Sequence, residues 1–278
     1  MIIDLVKLHE KTYGYILRTG KKGSYKYWYK ESFSGKLYKG KKPSNYIIEY
    51  FEKNIEDPPK EMIMENPWAN YKSTNPQMIY AKESNVPFNK IGSIKREEIE
   101  CYEAFLLSKA YKRIFENLKT FPEYYLPINT QKIKLLHKII FDDLYDWAGE
   151  YRNISISKEG FPFPPPDRIP VEMNKLDNKY FNKIDYHKKA SIEELSELLA
   201  VLSGDLTIIH PFREGNGRTI RLILDIISLA FDYQPADWSI LRDLQDKQKF
   251  LYCMFDAYKK NYQPLTKFTY GLLCSSNS

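Results

Sequence analysis

Most of the chain's chemical capacity lies in twelve consecutive residues, His210-Pro-Phe-Arg-Glu-Gly-Asn-Gly-Arg-Thr-Ile-Arg221. Glycines on both sides of Asn216 allow a left-handed backbone in which successive N–H groups converge on one point. A helix opening there adds roughly half a positive charge, so the spacing describes an anion site. Arg218 and Arg221 lie three apart on the first turn of that helix, and the best use of two neighbouring guanidinium groups is bidentate phosphate binding. Two arginines and a nest suit a polyphosphate better than a single phosphate. Glu214 places a carboxylate where bare anion binding would not want one, which makes sense if it holds Mg²⁺ beside the phosphates. His210, within a few residues of both, can take a proton from an attacking hydroxyl. Each residue alone has a plainer explanation: a histidine capping a helix, a Gly-Asn-Gly turn, an Arg221–Asp225 pair at i+4 worth about 0.3 to 0.5 kcal/mol. Those explanations do not cover the cluster as a whole.

Helices must hold these residues. Glu97 to Leu118 carries apolar residues at 99, 102, 105, 106, 110 and 114, close to a period of 3.6. Thr130 caps a second expected helix running to about Trp147, with Ile133, Leu136, Ile140 and Leu144 on one face. Ser191 to Ile209 forms a third and Asn216 to Phe231 a fourth, the latter with Ile220, Ile223, Leu224, Ile227 and Phe231 in phase. Between the second and third, Arg152 to Phe163 alternates and then turns through Lys-Glu-Gly, the pattern of a small inserted β-hairpin. The fold expected is mainly α.

Charge is unevenly distributed. The 278 residues carry 42 Lys+Arg and 36 Asp+Glu, a net charge of +6, yet residues 11 to 42 hold ten of the basic residues and one acid, Glu31. Tyr25, Tyr27, Tyr29, Phe33 and Leu37 alternate with basic residues around Ser34-Gly35, as in a β-hairpin with a basic face. Such a face binds nucleic acid or an acidic protein, or it is a solvated surface whose aromatic side packs on the main domain. A helical piece at Asn45 to Lys53 and a proline-punctuated connector follow. The expected division is a basic module over 1–60, a connector over 61–94 and a main domain over 95–275. Cys101, Cys253 and Cys274 have neither disulfide nor zinc spacing, which fits a reducing compartment. The N-terminus lacks the features of a cleavable signal and no run is long enough to span a membrane. A cytoplasmic protein is expected, or an effector secreted without a classical signal peptide, with no membrane partner.

His210 to Arg221 matches HPFx(D/E)GNGRxxR position for position, and in this the chain resembles the Fic-domain proteins of the Fic/Doc superfamily. Trp147-Ala148-Gly149 with Arg152, then Ile156-Ser157-Lys158 and Phe163, is similar to the family's segment leading into its flap; the resemblance covers roughly 95 to 262. It implies a Fic-type helical domain with a β-hairpin flap, and transfer of AMP from Mg-ATP to a Ser, Thr or Tyr hydroxyl of a target protein, releasing pyrophosphate. It makes His210 the general base, Glu214 the Mg²⁺ ligand, and Arg213, Gly215, Asn216, Gly217, Arg218, Thr219 and Arg221 the ATP-binding residues. Phe212 anchors the loop in the core. The flap residues Lys158, Glu159, Phe161 and Phe163 contact the target or the nucleotide, registering the target backbone by β-augmentation.

The family's inhibitory pattern (S/T)xxxE(G/N) has one literal match, Ser155 to Gly160, inside the expected flap where alternation argues against a helix. Ser93 to Glu97 is an incomplete second match. Inhibition by an antitoxin-like partner in trans, or by an N-terminal segment in cis, both remain open. The flap is rich in proline, which removes N–H groups that strand pairing needs. Other outcomes on the same scaffold are phosphorylation, UMP or phosphocholine transfer, or AMP removal. Outside catalysis, the alternatives are a toxin defined by antitoxin binding and a basic adaptor for nucleic acid.

Overall fold

The computed structural model describes the strands at 13–20, 23–31 and 37–39, then residues 68–70 and 73–277 apart from 159–160. The chain divides into two units, residues 1–101 and 102–278. In the first, β1 (Tyr13–Gly20), β2 (Gly23–Glu31) and β3 (Leu37–Lys39) form an antiparallel sheet in that order. The β2/β3 ladder, pairing Glu31 with Leu37, is the hairpin expected around Ser34-Gly35. The longer β1/β2 ladder, from Tyr13↔Lys30 to Gly20↔Gly23, was not anticipated, because its first strand lacks alternation. The helical piece expected at Asn45 to Lys53 lies outside the described residues. Among its described residues the connector holds a two-residue ladder, β4 (Trp68–Ala69) with β5 (Tyr80–Ala81), a bridge from Tyr80 to Pro87, and a 3₁₀ turn at Pro76–Met78 capped by Asn75.

The helices run α1 (Arg96–Leu118), α2 (Thr130–Phe141), α3 (Ile169–Lys179), α4 (Ile192–Ile209), α5 (Asn216–Ala230), α6 (Leu244–Tyr258) and α7 (Gln263–Asn277). A short hairpin of β6 (Ser157–Lys158) and β7 (Phe161–Pro162) sits between α2 and α3. The centre is α5, whose Leu222, Ile223, Leu224, Ile226 and Ile227 are all buried, so it is enclosed on more faces than a one-sided stripe predicts. Helix α2 packs on α5 and α3, while α4 packs on α5, α6 and α7.

Local chemistry sets the helix ends. Ser191 and Glu194 make a reciprocal capping box at the start of α4, satisfying two backbone N–H groups. The cap of α2 is Asn129, which accepts from the Lys132 N–H at 2.9 Å, and Thr130 instead bonds Asp177 of α3 through its own N–H and hydroxyl. That helix ends at Phe141, not near Trp147; the chain continues in turns to Gly149, whose N–H donates to His137 Nδ1 at 2.8 Å. The expected face of Ile133, Leu136, Ile140 and Leu144 is buried throughout. In α1 the buried stripe is Ile99, Glu103, Leu106, Ala110 and Ile114, whereas Phe105, expected inside, is 59% exposed.

Candidate active site

Helix α4 ends at His210, which adopts the left-handed conformation at φ 49° and ψ 61°. Five residues later Gly215, at φ 80°, opens α5. Two successive left-handed caps turn the chain sharply and bring the C-terminus of one helix and the N-terminus of the next into one loop. Asn216 locks that loop from within: its Oδ1 accepts from the Phe212 N–H at 2.9 Å and its Nδ2 donates to the Phe212 carbonyl at 2.7 Å. The Asn216 side chain is thereby spent on the loop. Phe212 is buried as expected and stacks on the His137 ring at 3.8 Å between centroids. A Cβ at Gly215 would come within 2.3 Å of the Phe141 ring, so only glycine fits. Gly217 lies within the helix and needs no positive φ, unlike the expectation for it; it is exposed, and a Cβ there would meet only an Arg221 Nη1 at 3.4 Å.

The electrostatics of His210 suit a proton acceptor. Burial, with Arg152 and Lys158 nearby, pushes its pKa down to about 4 despite the Thr207 carbonyl, so the imidazole is neutral at pH 7. Its Nδ1 lies 3.3 Å from the Thr207 carbonyl, which can only accept, so Nδ1 carries the proton and Nε2 keeps its lone pair. Phe163, just beyond β7, stacks on the ring at 3.9 Å and 16°.

Arg152 ties the flap to this loop. It is 1% exposed and donates to the His210 carbonyl from Nε at 2.8 Å and to Ile154 from Nη1 at 2.9 Å, while Nη2 serves Pro164 and Ile209. His137, also buried, donates from Nε2 to the Glu214 carbonyl at 3.1 Å. Neither residue's role is legible from a local motif. His137 shares the buried face of α2 with Ile133 and Ile140, which is the signal available for it.

The two arginines differ. Arg218 pairs with Glu103 of α1 and lies 5.1 Å from the Phe141 ring centroid. Arg221, half-buried, makes no hydrogen bond or ion pair among the described residues. The Asp225 that could have taken it is 2% exposed and engaged by the Tyr111 hydroxyl at 2.6 Å and the Trp238 indole N–H at 2.8 Å. Burial raises the Asp225 pKa to about 6 and holds Arg221 below its ordinary value. Arg213 contacts Glu214 at 3.0 Å. Thr219 is buried, with its hydroxyl on the Gly215 carbonyl at 3.1 Å, so its side chain serves the first turn of α5.

Glu214 keeps a third of its side chain exposed. Among the described residues no three His, Cys, Asp or Glu side chains gather as a metal site. A single carboxylate fits Mg²⁺ that takes its remaining ligands from phosphate oxygens and water, its usual habit beside nucleotides.

In the flap, Ser157 pairs with Pro162 and Lys158 with Phe161, so the hairpin is shorter than the alternation of Arg152 to Phe163 suggested. The Phe163 N–H continues it, donating to Ile156 at 3.2 Å. Glu159 lies outside the described residues, and so do the side chain of Phe161 and the full Ser155 to Gly160 match. Glu97, the acid of the other partial match, is exposed on the first turn of α1. No described helix is long and apolar enough to cross a membrane.

Residues 127–228 match the Fic/DOC family profile. Protein adenylyltransferase VbhT of Bartonella schoenbuchensis is 27% identical over 179 residues, covering 64% of this chain and 35% of that protein. Probable protein adenylyltransferase y4lH of Sinorhizobium fredii is 30% identical over 132 residues, 48% of this chain and 66% of its own length. The chain thus spans between a third and two thirds of these curated relatives. Among solved structures, the Bartonella tribocorum effector BepC with bound AMPPNP aligns over 69% of this chain and 94% of its own, at a TM-score of 0.55 and 20% identity, a likeness of fold. Helical frame and signature loop fall within these matches, and residues 127–228 of the chain form a Fic domain.

Proposed function

We propose that the chain transfers AMP from Mg-ATP to a Ser, Thr or Tyr hydroxyl of a target protein. The observation that carries this reading is a neutral His210 whose Nε2 keeps its lone pair, in the loop that opens helix α5, on which Arg221 makes no hydrogen bond or ion pair among the described residues. The naming of both curated relatives as adenylyltransferases supports it. The target oxygen attacks the α-phosphorus, its proton passes to His210 Nε2, the bond from the α-phosphorus to the bridging oxygen breaks, and pyrophosphate leaves. Gly215 and the first N–H groups of α5 receive phosphate oxygens, Arg221 the tail, and Glu214 holds Mg²⁺, which neutralises phosphate charge when bound. Little covalent chemistry falls to the protein; rate comes from holding the α-phosphorus in line with the hydroxyl. Target backbone would pair with β6, whose Ser157 and Lys158 are exposed, since Pro162 in β7 has no N–H to offer.

Incubating the purified chain with a cell lysate and either α- or γ-labelled ATP tests the reading. Protein label from the α position alone is expected, and label from γ alone would establish a kinase instead. His210→Ala should abolish labelling while an ATP analogue still binds within a few-fold of wild type.

A further inference from the structure

Glu103 stands outside the signature and outside everything assigned to the site so far. It lies 115 residues before Arg218 in sequence, on the buried face of α1, and is 4% exposed. One carboxylate oxygen pairs with Arg218 Nη1; the other accepts from the Tyr145 hydroxyl at 3.2 Å. Arg218 meanwhile rests on the Phe141 ring and keeps 25% of its side chain exposed.

We infer that Glu103 is a positioning residue that fixes the Arg218 guanidinium for the phosphate tail and stays paired with it when the tail binds. The inference rests on the nucleotide-binding part of the proposed function. A phosphate that pulled Arg218 away would leave a buried carboxylate with one neutral hydrogen bond, and an uncompensated buried charge is costlier than the exchange could return. A guanidinium has five N–H donors, so it can serve Glu103 and a phosphate oxygen together. Charge follows the same division. Arg218 with Glu103 is close to neutral, so the net positive charge offered to the tail comes from Arg221 and the N-terminus of α5. Arg218 supplies direction. Glu103 also screens the repulsion between the two guanidinium groups, since Arg218 acts on Arg221 to lower its pKa.

The test is calorimetric titration of the full chain with a non-hydrolysable ATP analogue and, separately, with AMP, using Glu103→Ala, Arg218→Ala and the double variant. Each single variant should weaken analogue binding roughly tenfold or more, as loss of a charge-assisted hydrogen bond does. The double variant should be no weaker than the worse single, and AMP, lacking the tail, should bind all four proteins alike. Multiplicative losses in the double variant, or equal losses for AMP, would overturn the inference. Glu103→Gln keeps the shape and an acceptor should Glu103→Ala fail to fold; it should bind the analogue more weakly than wild type and shrink the effect of Arg218→Ala. Tighter binding or faster α-label transfer by Glu103→Gln would instead make Glu103 a competitor of the phosphates and sink the positioning role. These titrations involve no transfer, so a wild type that binds the analogue but transfers nothing refutes the proposed reaction and leaves this inference standing. A wild type that binds no nucleotide refutes both.

Discussion

At Gly215 one added methyl group meets two obstacles, a positive φ and the Phe141 ring in the way. Gly215→Ala should cost about 2 kcal/mol or more in urea unfolding and weaken binding of an ATP analogue, because the ring that must move is the one under Arg218. Unchanged stability would show that the loop can refold around alanine. Arg152 is a second such residue, for a different reason: four carbonyl acceptors from three chain segments converge on one buried guanidinium. Arg152→Met keeps much of the volume and strands those acceptors, so a loss on the order of 3 kcal/mol is expected, with resonances of both His210 and the flap shifting together. The signature's backbone course was legible because its geometry is local, a left-handed glycine opening a helix that carries both arginines. The roles of Glu103 and His137 were not, since each reaches the loop through a partner far along the chain, Arg218 at 115 positions and Glu214 at 77. A carboxylate in phase with Ile99, Leu106, Ala110 and Ile114 was the trace that Glu103 left.

Helix ends decide more here than helix lengths. The Ser191–Glu194 box starts the helix that ends at His210, so this histidine is carried on the end of a rod whose other end is pinned. Ser191→Ala should lower stability by about 1 kcal/mol and leave transfer within a few-fold of wild type, a difference that thermal melts and initial rates will read. Helices with a one-sided apolar period, α2, α4 and α5, were legible in place, although α2 stops at Phe141 because the Asp-Asp-Leu that follows closes in tight turns. Helix α3 was missed: its eleven residues follow a run of prolines and hold only Ile169, Met173 and Leu176 buried, too short a stripe to declare a period. The flap was overread in length for the opposite reason, since alternation in Ile154 and Ile156 marks half-buried loop, not ladder.

For the molecule as a whole, burial of titratable groups predicts the response to acid. Burial holds His137 at about 3 and His210 at about 4, so both stay neutral in the fold while an unfolded chain would protonate them below 6.5. Lowered histidine values therefore mean stability that is lost as pH falls from 6.5 toward 4. Asp225 opposes this: raised to about 6, it takes its proton in the folded state first, against an ordinary 3.8. Between pH 6 and 4 two histidines outweigh one carboxyl, leaving the unfolded chain about one proton ahead, so stability should decline by about 1.4 kcal/mol per unit of acidification. Urea midpoints at pH 6.0, 5.0 and 4.5 with a constant slope check this, and a midpoint that rises in acid would contradict it. The same globule carries a second, quieter property at His210. A left-handed backbone is a place where glycine is at least as comfortable as histidine, so the backbone exerts no hold on the His210 side chain, which among the described residues is kept by the Phe163 ring and the Thr207 carbonyl alone. His210→Gly should melt within a few degrees of wild type while transferring nothing. Under the proposed reaction, a folded variant that still binds nucleotide but transfers nothing is therefore a single substitution from this chain.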